Sequence, residues 1–341
     1  MTAVDRDASP APEGPDTRAP AHRMWDDAID RILEHDLIAA LGYVTPAGGV
    51  VVAPVAPIGI RSRDEGSVGF TTSLGFGRKL DRLRADPRVA LAYHTRQHGV
   101  RGSVTDEYVL VHGTARFDAS PSRAQHDAIR AQATPYTGPA LRGPFWDRWL
   151  AAYYSARVQV SIDVERIVTW RDLTCGGQPT IAYGAPQSGP PAPQSPPRKG
   201  TAPRIDLAKP AKRLKRVPYR LLGYRGADGY PMIVPVDVGD ATQAGLRIGC
   251  AAELPRGGRR AGLVGHSFRA RAVGLECRQY TGWLEDGVFS PFTESGFVAP
   301  PNRTVLMLVN GFKAQRGLRR SRRRLAEQEA AADPKASNAV G

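Results

Sequence analysis

The sequence contains little cysteine and no long apolar run. Its three cysteines, Cys175, Cys250 and Cys277, lie far apart and form no C-x-x-C pair. This spacing argues against a disulfide framework and against a zinc ribbon. No apolar segment approaches the roughly 20 residues that a membrane span needs, and residues 1–22 lack the apolar region of a signal peptide. We therefore expect a cytoplasmic protein without a membrane partner.

The composition predicts a strand-rich chain with more than one core. The 341 residues include 36 glycines and 29 prolines, which interrupt helices and favour turns. A hydrophobic content of 41% allows buried cores to form. Because domains usually contain about 100 to 200 residues, we expect two of them.

Hydrophobic periodicity divides the chain into five parts. We expect a disordered tail over 1–22, a first domain over 23–183, a proline-rich linker over 184–204, a second, diverged domain over 205–312 and a basic tail, helical or disordered, over 313–341. In the first domain, the predicted strands are 37–44, 50–60, 67–72, 89–94, 107–117 and 158–170. The predicted helices are 24–34, 78–85, 121–133 and 145–157, and the aromatic residues of the last helix are interpreted as core packing.

An internal repeat crosses the proline-rich linker. Residues 41–55, LGYVTPAGGVVVAPV, align without gaps on residues 222–236, LGYRGADGYPMIVPV. The same register places Gly258-Arg259-Arg260 on Gly77-Arg78-Lys79. The repeat predicts two related domains with a common strand arrangement.

Residues 70–86, FTTSLGFGRKLDRLRAD, combine three features that suit a phosphate group. A strand ends in hydroxyl side chains, a glycine-flanked turn permits close backbone approach, and a helix begins with two cations. The residues concerned are Thr71, Thr72, Ser73, Gly75, Gly77, Arg78 and Lys79. The segment is neither a Walker loop nor a G-x-G-x-x-G fingerprint. Taken alone, it is more typical of a surface helix with solvated cations.

Residues 37–117 as a whole resemble the flavin-binding split β-barrel superfamily named for pyridoxamine 5′-phosphate oxidase, which includes users of the deazaflavin F420. The matching segments are, in order, VVVAPVAPI, VGFTTS, GRKLDRLRADPRVALAY and EYVLVHGTARF. The resemblance implies a mainly β fold with flanking helices (α+β), built as two tandem split β-barrel domains of which the second is degenerate. It also implies FMN as the cofactor, with F420 as the alternative.

Carried over by position, the resemblance implies that Arg78 and Lys79 bind the cofactor phosphate. Thr71, Thr72 and Ser73 would assist, and Val55 would lie against the cofactor ring. In such proteins the cofactor lies at a dimer interface, so we expect either an internal pseudo-dimer or a homodimer. The C-terminal Arg-Leu-x-Pro type ending of true pyridoxamine phosphate oxidases is missing, and we do not expect that activity. No catalytic residue is identified.

The resulting hypothesis is a flavin- or F420-dependent oxidoreductase that acts on an unidentified small molecule. One alternative is a non-enzymatic flavin or haem carrier or sensor, with His94, His112 or His266 as a candidate haem ligand. His94 and His98 have no third ligand in a recognised pattern, so no metal site is expected.

The net charge of +14 and the basic segment 313–324 favour a third alternative, binding of nucleic acid. Because this segment lacks interleaved aromatics and is followed by glutamates, we interpret it instead as a solvated helix.

Overall fold

The computed structural model describes residues 24–74, 77–99, 105–118, 122–187 and 189–332, with side chains as far as Gly317. Gly75, the predicted tail 1–22, the last residues of the predicted basic tail (333–341) and the side chains of the basic segment after Gly317 lie outside these described parts. None of the helices in the described ranges combines the length and the apolar composition that a membrane span requires.

The described ranges form helices and antiparallel strands. The helices are α1 (Asp27–His35), α2 (Gly77–Ala85), α3 (Arg123–Thr137), α4 (Pro144–Ser155), α5 (Ala208–Arg216) and α6 (Arg303–Ala332). The first eight strands are β1 (Ala39–Val44), β2 (Val50–Val55), β3 (Arg61–Ser62), β4 (Ser67–Ser73), β5 (Arg88–Tyr93), β6 (Tyr108–Phe117), β7 (Arg157–Trp170) and β8 (Thr180–Tyr183). The remaining strands are β9 (Tyr219–Arg225), β10 (Pro231–Pro235), β11 (Asp237–Ala241), β12 (Leu246–Gly249), β13 (Arg259–Ser267), β14 (Glu276–Glu285) and β15 (Val288–Val298).

Local sequence explains most of the boundaries in the first half. The backbone N–H of Ile29 donates to the side chain of Asp26, which therefore caps α1. The strand predicted over 50–60 ends earlier, at Val55. It ends there because Pro57 has no N–H to donate, and Ile58 and Gly59 then adopt positive φ angles of 46° and 66°.

The first unit, α1 to β8, contains an antiparallel sheet in the order β2-β1-β5-β6-β7-β4-β3, with β8 added beside β7. A single bridge between Ala56 and Thr71 joins the end of β2 to β4, the far side of the sheet. The sheet therefore curls into a barrel around an apolar core that includes Leu41, Phe70, Leu91 and Ile162.

The second unit, α5 to β15, repeats this arrangement strand for strand in the order β10-β9-β13-β14-β15-β12-β11. The pairing register also repeats. Leu41 faces Ala53 in the first unit, and Leu222 faces Val234 in the second. These residues are matched by the sequence alignment, so the mainly β fold with flanking helices and two tandem units is confirmed.

The downstream part of the predicted alignment is wrong. Gly77 begins helix α2, whereas the Gly258-Arg259-Arg260 segment leads into strand β13. Strand β13 pairs with β9 as β5 pairs with β1, so the second unit passes directly from β12 to β13 and has no counterpart of α2. Arg259 is consequently a buried residue, 1% exposed, and is not an equivalent of Arg78.

The two units pack face to face through matching positions. A Cβ placed on Gly42 would lie 2.9 Å from Ile233 Cδ1, and one placed on Gly223 would lie 2.4 Å from Val52 Cγ2. Gly42 and Gly223 are repeat equivalents, as are Val52 and Ile233. The contact of Gly42 with Ile233 is therefore repeated, with the units exchanged, by the contact of Gly223 with Val52. Such reciprocal contacts are the pattern of a two-fold dimer, here within one chain.

Two further segments tie the units together. In the proline-rich segment, the side chain of Gln194 donates to Gly48 O at 2.9 Å and accepts from Arg260 N at 2.9 Å, so it bonds to both units. Helix α6 returns from the second unit to pack on α4, where Trp149 Nε1 donates to Leu308 O at 3.1 Å. The chain thus closes over one side of the first barrel.

Candidate functional site

A cavity of about 1330 Å³ lies between the first barrel, the second unit and α6. Its described walls come from both repeats, so neither unit forms it alone. The elements that contribute residues are β1, β2, β4, α2, α3, α4, β7, the turn between β13 and β14, β14, β15 and α6.

The end of β4 supplies buried hydroxyl groups to this cavity. Thr71, Thr72 and Ser73 are 8%, 4% and 8% exposed, and all three border the cavity. The backbone N–H of Thr71 donates to Ala56 O at 3.3 Å, which fixes the strand end against β2. The predicted hydroxyl cluster is therefore held by the closure of the barrel.

The first turn of α2 supplies two cations. Arg78 is exposed and Lys79 is half-buried, and both line the cavity. The Nζ atom of Lys79 lies 5.9 Å from the centre of the Phe70 ring. Burial lowers the pKa of Lys79 to about 8, and the nearby charge of Arg157 acts in the same direction while Cys277 opposes it. An anion beside Lys79 would offset this effect of burial.

Val55, at the end of β2, is 5% exposed and forms part of an apolar wall with Ala53 and Ile58. All six residues that the resemblance assigns to the cofactor thus border one cavity, although β2, β4 and α2 are separate in the chain. Their role as cofactor ligands stays a prediction.

Arg157 is a site residue that the sequence analysis missed. It is the first residue of β7 and pairs with Ser73 of β4. Its Nη1 lies 3.5 Å from Thr71 Oγ1, and its guanidinium group lies 4.5 Å from the ring centre of Tyr153 and donates to the hydroxyl of that residue. Only the strand pairing, which joins positions more than 80 residues apart, could have identified it.

The aromatic residues of α4 are not core residues as predicted. Phe145 is 58% exposed, and only Leu150 of this helix is buried. Tyr153 and Tyr154 border the cavity, and Arg130 of α3 lies 4.5 Å from the ring centre of Tyr154. The helix thus borders the cavity through Tyr153 and Tyr154 and contacts α6 through Trp149.

The cavity carries an excess of positive charge. Its described lining contains no Asp or Glu. The cationic side chains that border it are Arg78, Lys79, Arg130, Arg157, Arg271, Arg303, Lys313 and Arg316. A large cavity lined in this way favours an anionic ligand over a neutral or cationic one.

The second unit forms the wall opposite α2. The Nε2 atom of Gln279, on β14, donates to Val52 O at 2.8 Å and thereby binds the second unit to β2. Phe297 and Ala299 border the same side. Cys277 on β14 is buried, and burial raises the pKa of its thiol to about 12 while Lys79 acts against this rise.

The equivalent position on the other side of the pseudo-dimer is filled by protein. Phe297 pairs with Cys277, and by the repeat its counterpart is Trp170, which pairs with Tyr108. Trp170 is 5% exposed and belongs to the core shared by the two units. The side chains that fill this position are Trp170, Leu173, Cys175 and Ala252. The second unit also has no counterpart of α2, so the repeat does not reproduce the walls of the cavity there.

The three histidines considered as haem ligands are buried, and each makes at least one hydrogen bond within the protein. His94 Nδ1 donates to Ala92 O at 3.1 Å, and its Nε2 lies 2.8 Å from Nε2 of His266. His112 Nε2 donates to Pro231 O at 2.9 Å, and its Nδ1 accepts from Arg166 Nε at 3.2 Å. None of the three borders the cavity, so their positions do not support a haem there.

No family model matches the chain. A search of curated proteins likewise finds no similar protein.

Solved structures with a similar fold exist. A protein of the pyridoxinephosphate oxidase family from Clostridium acetobutylicum is 10% identical, with a TM-score of 0.29; the match covers 43% of this chain and 85% of that chain. A conserved hypothetical protein from Mycobacterium tuberculosis is 21% identical, with a TM-score of 0.32, and the match covers 50% and 98%. An F420 reductase is 20% identical, with a TM-score of 0.29, and the match covers 40% and 94%. Each of these matches is a similarity to about half of the chain.

Proposed function

We propose that the chain binds a phosphate-bearing flavin in this cavity, FMN first and F420 as the alternative, and acts as an oxidoreductase on a small molecule. One observation carries the proposal. Residues from three separate elements of the first barrel, predicted to hold a cofactor phosphate and ring, border one cavity whose described lining is cationic and free of carboxylates.

The residues at one end of the cavity fit a phosphate group. Arg78 offers a guanidinium fork and Lys79 a compact ammonium group, and both lie in the first turn of a helix, where backbone N–H groups are free to donate. The hydroxyls of Thr71 and Thr72 lie nearby, at the end of β4. Arg157, beside Thr71, adds a third cation to this group.

The residues at the β2 wall fit an aromatic ring system. Ala53, Val55 and Ile58 are buried and apolar, and they border the cavity next to the phosphate-binding residues. When bound, a flavin or deazaflavin supplies hydride or electron transfer, which no side chain of this site could perform. The protein would orient the ring and exclude water from it.

Lys79 is suited to binding rather than to proton transfer. With a pKa near 8 the amine is mainly protonated at neutral pH, and a phosphate dianion beside it would favour the charged form further. The Nζ proton would then stay on the lysine while the ammonium group holds the phosphate. We assign no proton donor to the substrate.

The absorption spectrum of the purified full-length protein, and of the chromophore released from it, tests the proposal. We expect the spectrum of a flavin or a deazaflavin, and reconstitution with FMN or F420 should restore it after removal. Reductant-dependent turnover with an acceptor separates an enzyme from a carrier, which would hold the chromophore without turnover. A protein that binds neither FMN nor F420 would contradict the proposal.

A further inference from the structure

One arginine of the second unit and one arginine of α6 converge on one point of the first unit. Arg271 lies in the three-residue turn Ala270–Ala272, between β13 and β14, and Arg303 is the first residue of α6. A Cβ placed on Gly138 would lie 3.4 Å from Arg271 Cδ and 3.5 Å from Arg303 Nη1. Both side chains border the cavity, so two like charges lie together where the units meet.

This pair of cations has no acidic partner in the described part of the chain. Neither arginine takes part in any of the ion pairs there, and no carboxylate occurs in the described lining of the cavity. Arg303 Nη2 donates to the carbonyl of Pro139, a neutral acceptor. Two guanidinium groups brought together without a counter-charge repel each other, and an anion between them would remove the repulsion.

The backbone that carries Arg271 is unusual. Arg271 has φ 61° and Ala272 has φ 55°, so two consecutive residues with side chains lie in the left-handed region. This conformation is costly without glycine and persists only where the surroundings hold it, often beside a ligand. The turn is thus built to present Arg271 at the cavity.

The pair is separate from the residues that fit the cofactor phosphate. Arg78 and Lys79 belong to α2 of the first unit, whereas Arg271 comes from the turn between β13 and β14 of the second unit and Arg303 from α6. The cavity of about 1330 Å³ also exceeds the roughly 300 to 1,000 Å³ that an ordinary ligand site occupies. It therefore has room for a second molecule beside a cofactor.

We propose that Arg271 and Arg303 bind the carboxylate or phosphate group of an anionic substrate while the cofactor occupies the β2 and α2 side of the cavity. The inference rests on the proposed function for the identity of the neighbouring ligand. Paired guanidinium groups match the planar, bidentate geometry of these anions better than lysines would. The second unit, which has no counterpart of α2, and helix α6 thereby supply substrate recognition.

A purely structural role makes a different prediction. Gly138 caps the C-terminal end of α3, and cations near such an end stabilise a helix without any ligand. In that case replacement of Arg271 or Arg303 would lower stability and leave anion binding unchanged.

Equilibrium dialysis of the full-length protein with radiolabelled inorganic phosphate separates the two roles. Without a cofactor we expect two phosphate ions per chain, and saturation with FMN should exclude one of them. Arg271→Gln and Arg303→Gln should each weaken the FMN-insensitive phosphate site at least tenfold. Arg269→Gln, an exposed arginine two positions before Arg271 that does not border the cavity, should leave both sites unchanged.

The possible failures are distinguishable. If Arg271→Gln keeps the FMN-insensitive phosphate, the inference is overturned, whatever its urea midpoint. If FMN excludes no phosphate, the proposed cofactor site fails, while loss of one phosphate in Arg271→Gln would still support the arginine site. Because Arg271 is exposed, this variant should fold even where Arg303→Gln does not, and it decides the question alone.

Discussion

His94 and His266 are repeat equivalents, and they meet each other across the interface with their Nε2 atoms 2.8 Å apart. Since His94 Nδ1 donates to Ala92 O, Nε2 of His94 must accept, and Nε2 of His266 donates to it. Both rings are buried, at 3% and 0% exposure. The pair lies on the pseudo-two-fold axis, where one residue of each unit must face its own counterpart.

This pair predicts a loss of stability in acid. Burial lowers the pKa of His94 to about 4 and that of His266 well below its usual 6.5. The unfolded chain therefore binds protons that the folded chain does not, and the free energy of unfolding should fall as pH drops below 6.5. Each histidine contributes about 1.4 kcal/mol per pH unit between its two pKa values.

Urea unfolding of the wild type and of His94→Gln from pH 7 to pH 5 measures this effect. The slope of unfolding free energy against pH should be shallower in the variant by an amount that approaches one proton near pH 5, whereas His98→Gln, which alters an exposed histidine, should match the wild type. Burial raises the pKa of Asp36 to about 7, and this shift increases the free energy of unfolding as pH falls. Because the wild type and both variants contain Asp36, the differences between their slopes isolate the effect of the histidine. Equal slopes for the wild type and His94→Gln would contradict the burial of His94 and His266 as neutral side chains.

Replacement of Arg78 and Lys79 together by Ala should weaken cofactor binding by two or more orders of magnitude. Charge-assisted hydrogen bonds contribute roughly 1.5 to 3 kcal/mol each, and both side chains border the cavity. The fold should be unaffected because Arg78 is exposed and Lys79 is half-buried. Fluorescence titration with FMN measures the affinity, and Arg82→Ala, on the same helix but outside the cavity lining, is the matched control. Equal affinities in both variants would place the phosphate elsewhere.

Arg259→Ala should act on stability and not on the cofactor. Arg259 is 1% exposed, and its guanidinium group donates to the carbonyls of Arg256 and Pro191, which joins β13 to the proline-rich segment. Removal of these bonds should lower the free energy of unfolding by about 2 kcal/mol or more. Urea unfolding should reveal the loss, and the affinity for FMN should stay within a factor of two or three of the wild type. A large drop in affinity with no change in stability would show that the cofactor lies near the second unit's strand.

Each chain should bind one cofactor. The position related to the cavity by the repeat is filled by Trp170 and Cys175, and the second unit has no counterpart of α2. The ratio of released chromophore to polypeptide, from absorbance and amino-acid analysis, should approach one after reconstitution with excess FMN. A ratio of two would mean that Trp170 and its neighbours move aside.

Gly223→Ala should destabilise the contact between the units. The added Cβ would lie 2.4 Å from Val52 Cγ2, and overpacking of this kind costs about 1 to 3 kcal/mol. The companion change Val52→Ala should recover part of the loss, because it removes the clashing methyl groups. Gly249→Ala is the control, since its Cβ would meet only ordinary contacts at 3.7 Å. Equal free energies of unfolding for Gly223→Ala and Gly249→Ala would contradict the close packing between the two units.

Local patterns predicted much of the fold, because strands in the first barrel are short apolar runs bounded by proline, glycine and aspartate. The repeat around Leu41 and Leu222 predicted the second sheet, since turns of equal length impose the same pairing register. The alignment failed after β12 because the second unit omits a whole helix, and a gapless register cannot represent that. Arg157 and Arg271 escaped detection for another reason. Each reaches the cavity through strand pairing or contact between units, and neither signal is local in the chain.

The cavity's two halves are parts of one polypeptide, held together by the segment around Gln194 and by α6. In a homodimer the equivalent cavity would disappear on dilution, and every substitution would change both of its sites at once. Here the covalent connection makes assembly of the cavity independent of protein concentration. The connection also allows the two copies to differ, because each has its own sequence. The first unit keeps α2, whereas Trp170 occupies the position related to the cavity by the repeat, so the two units can have different roles in one site.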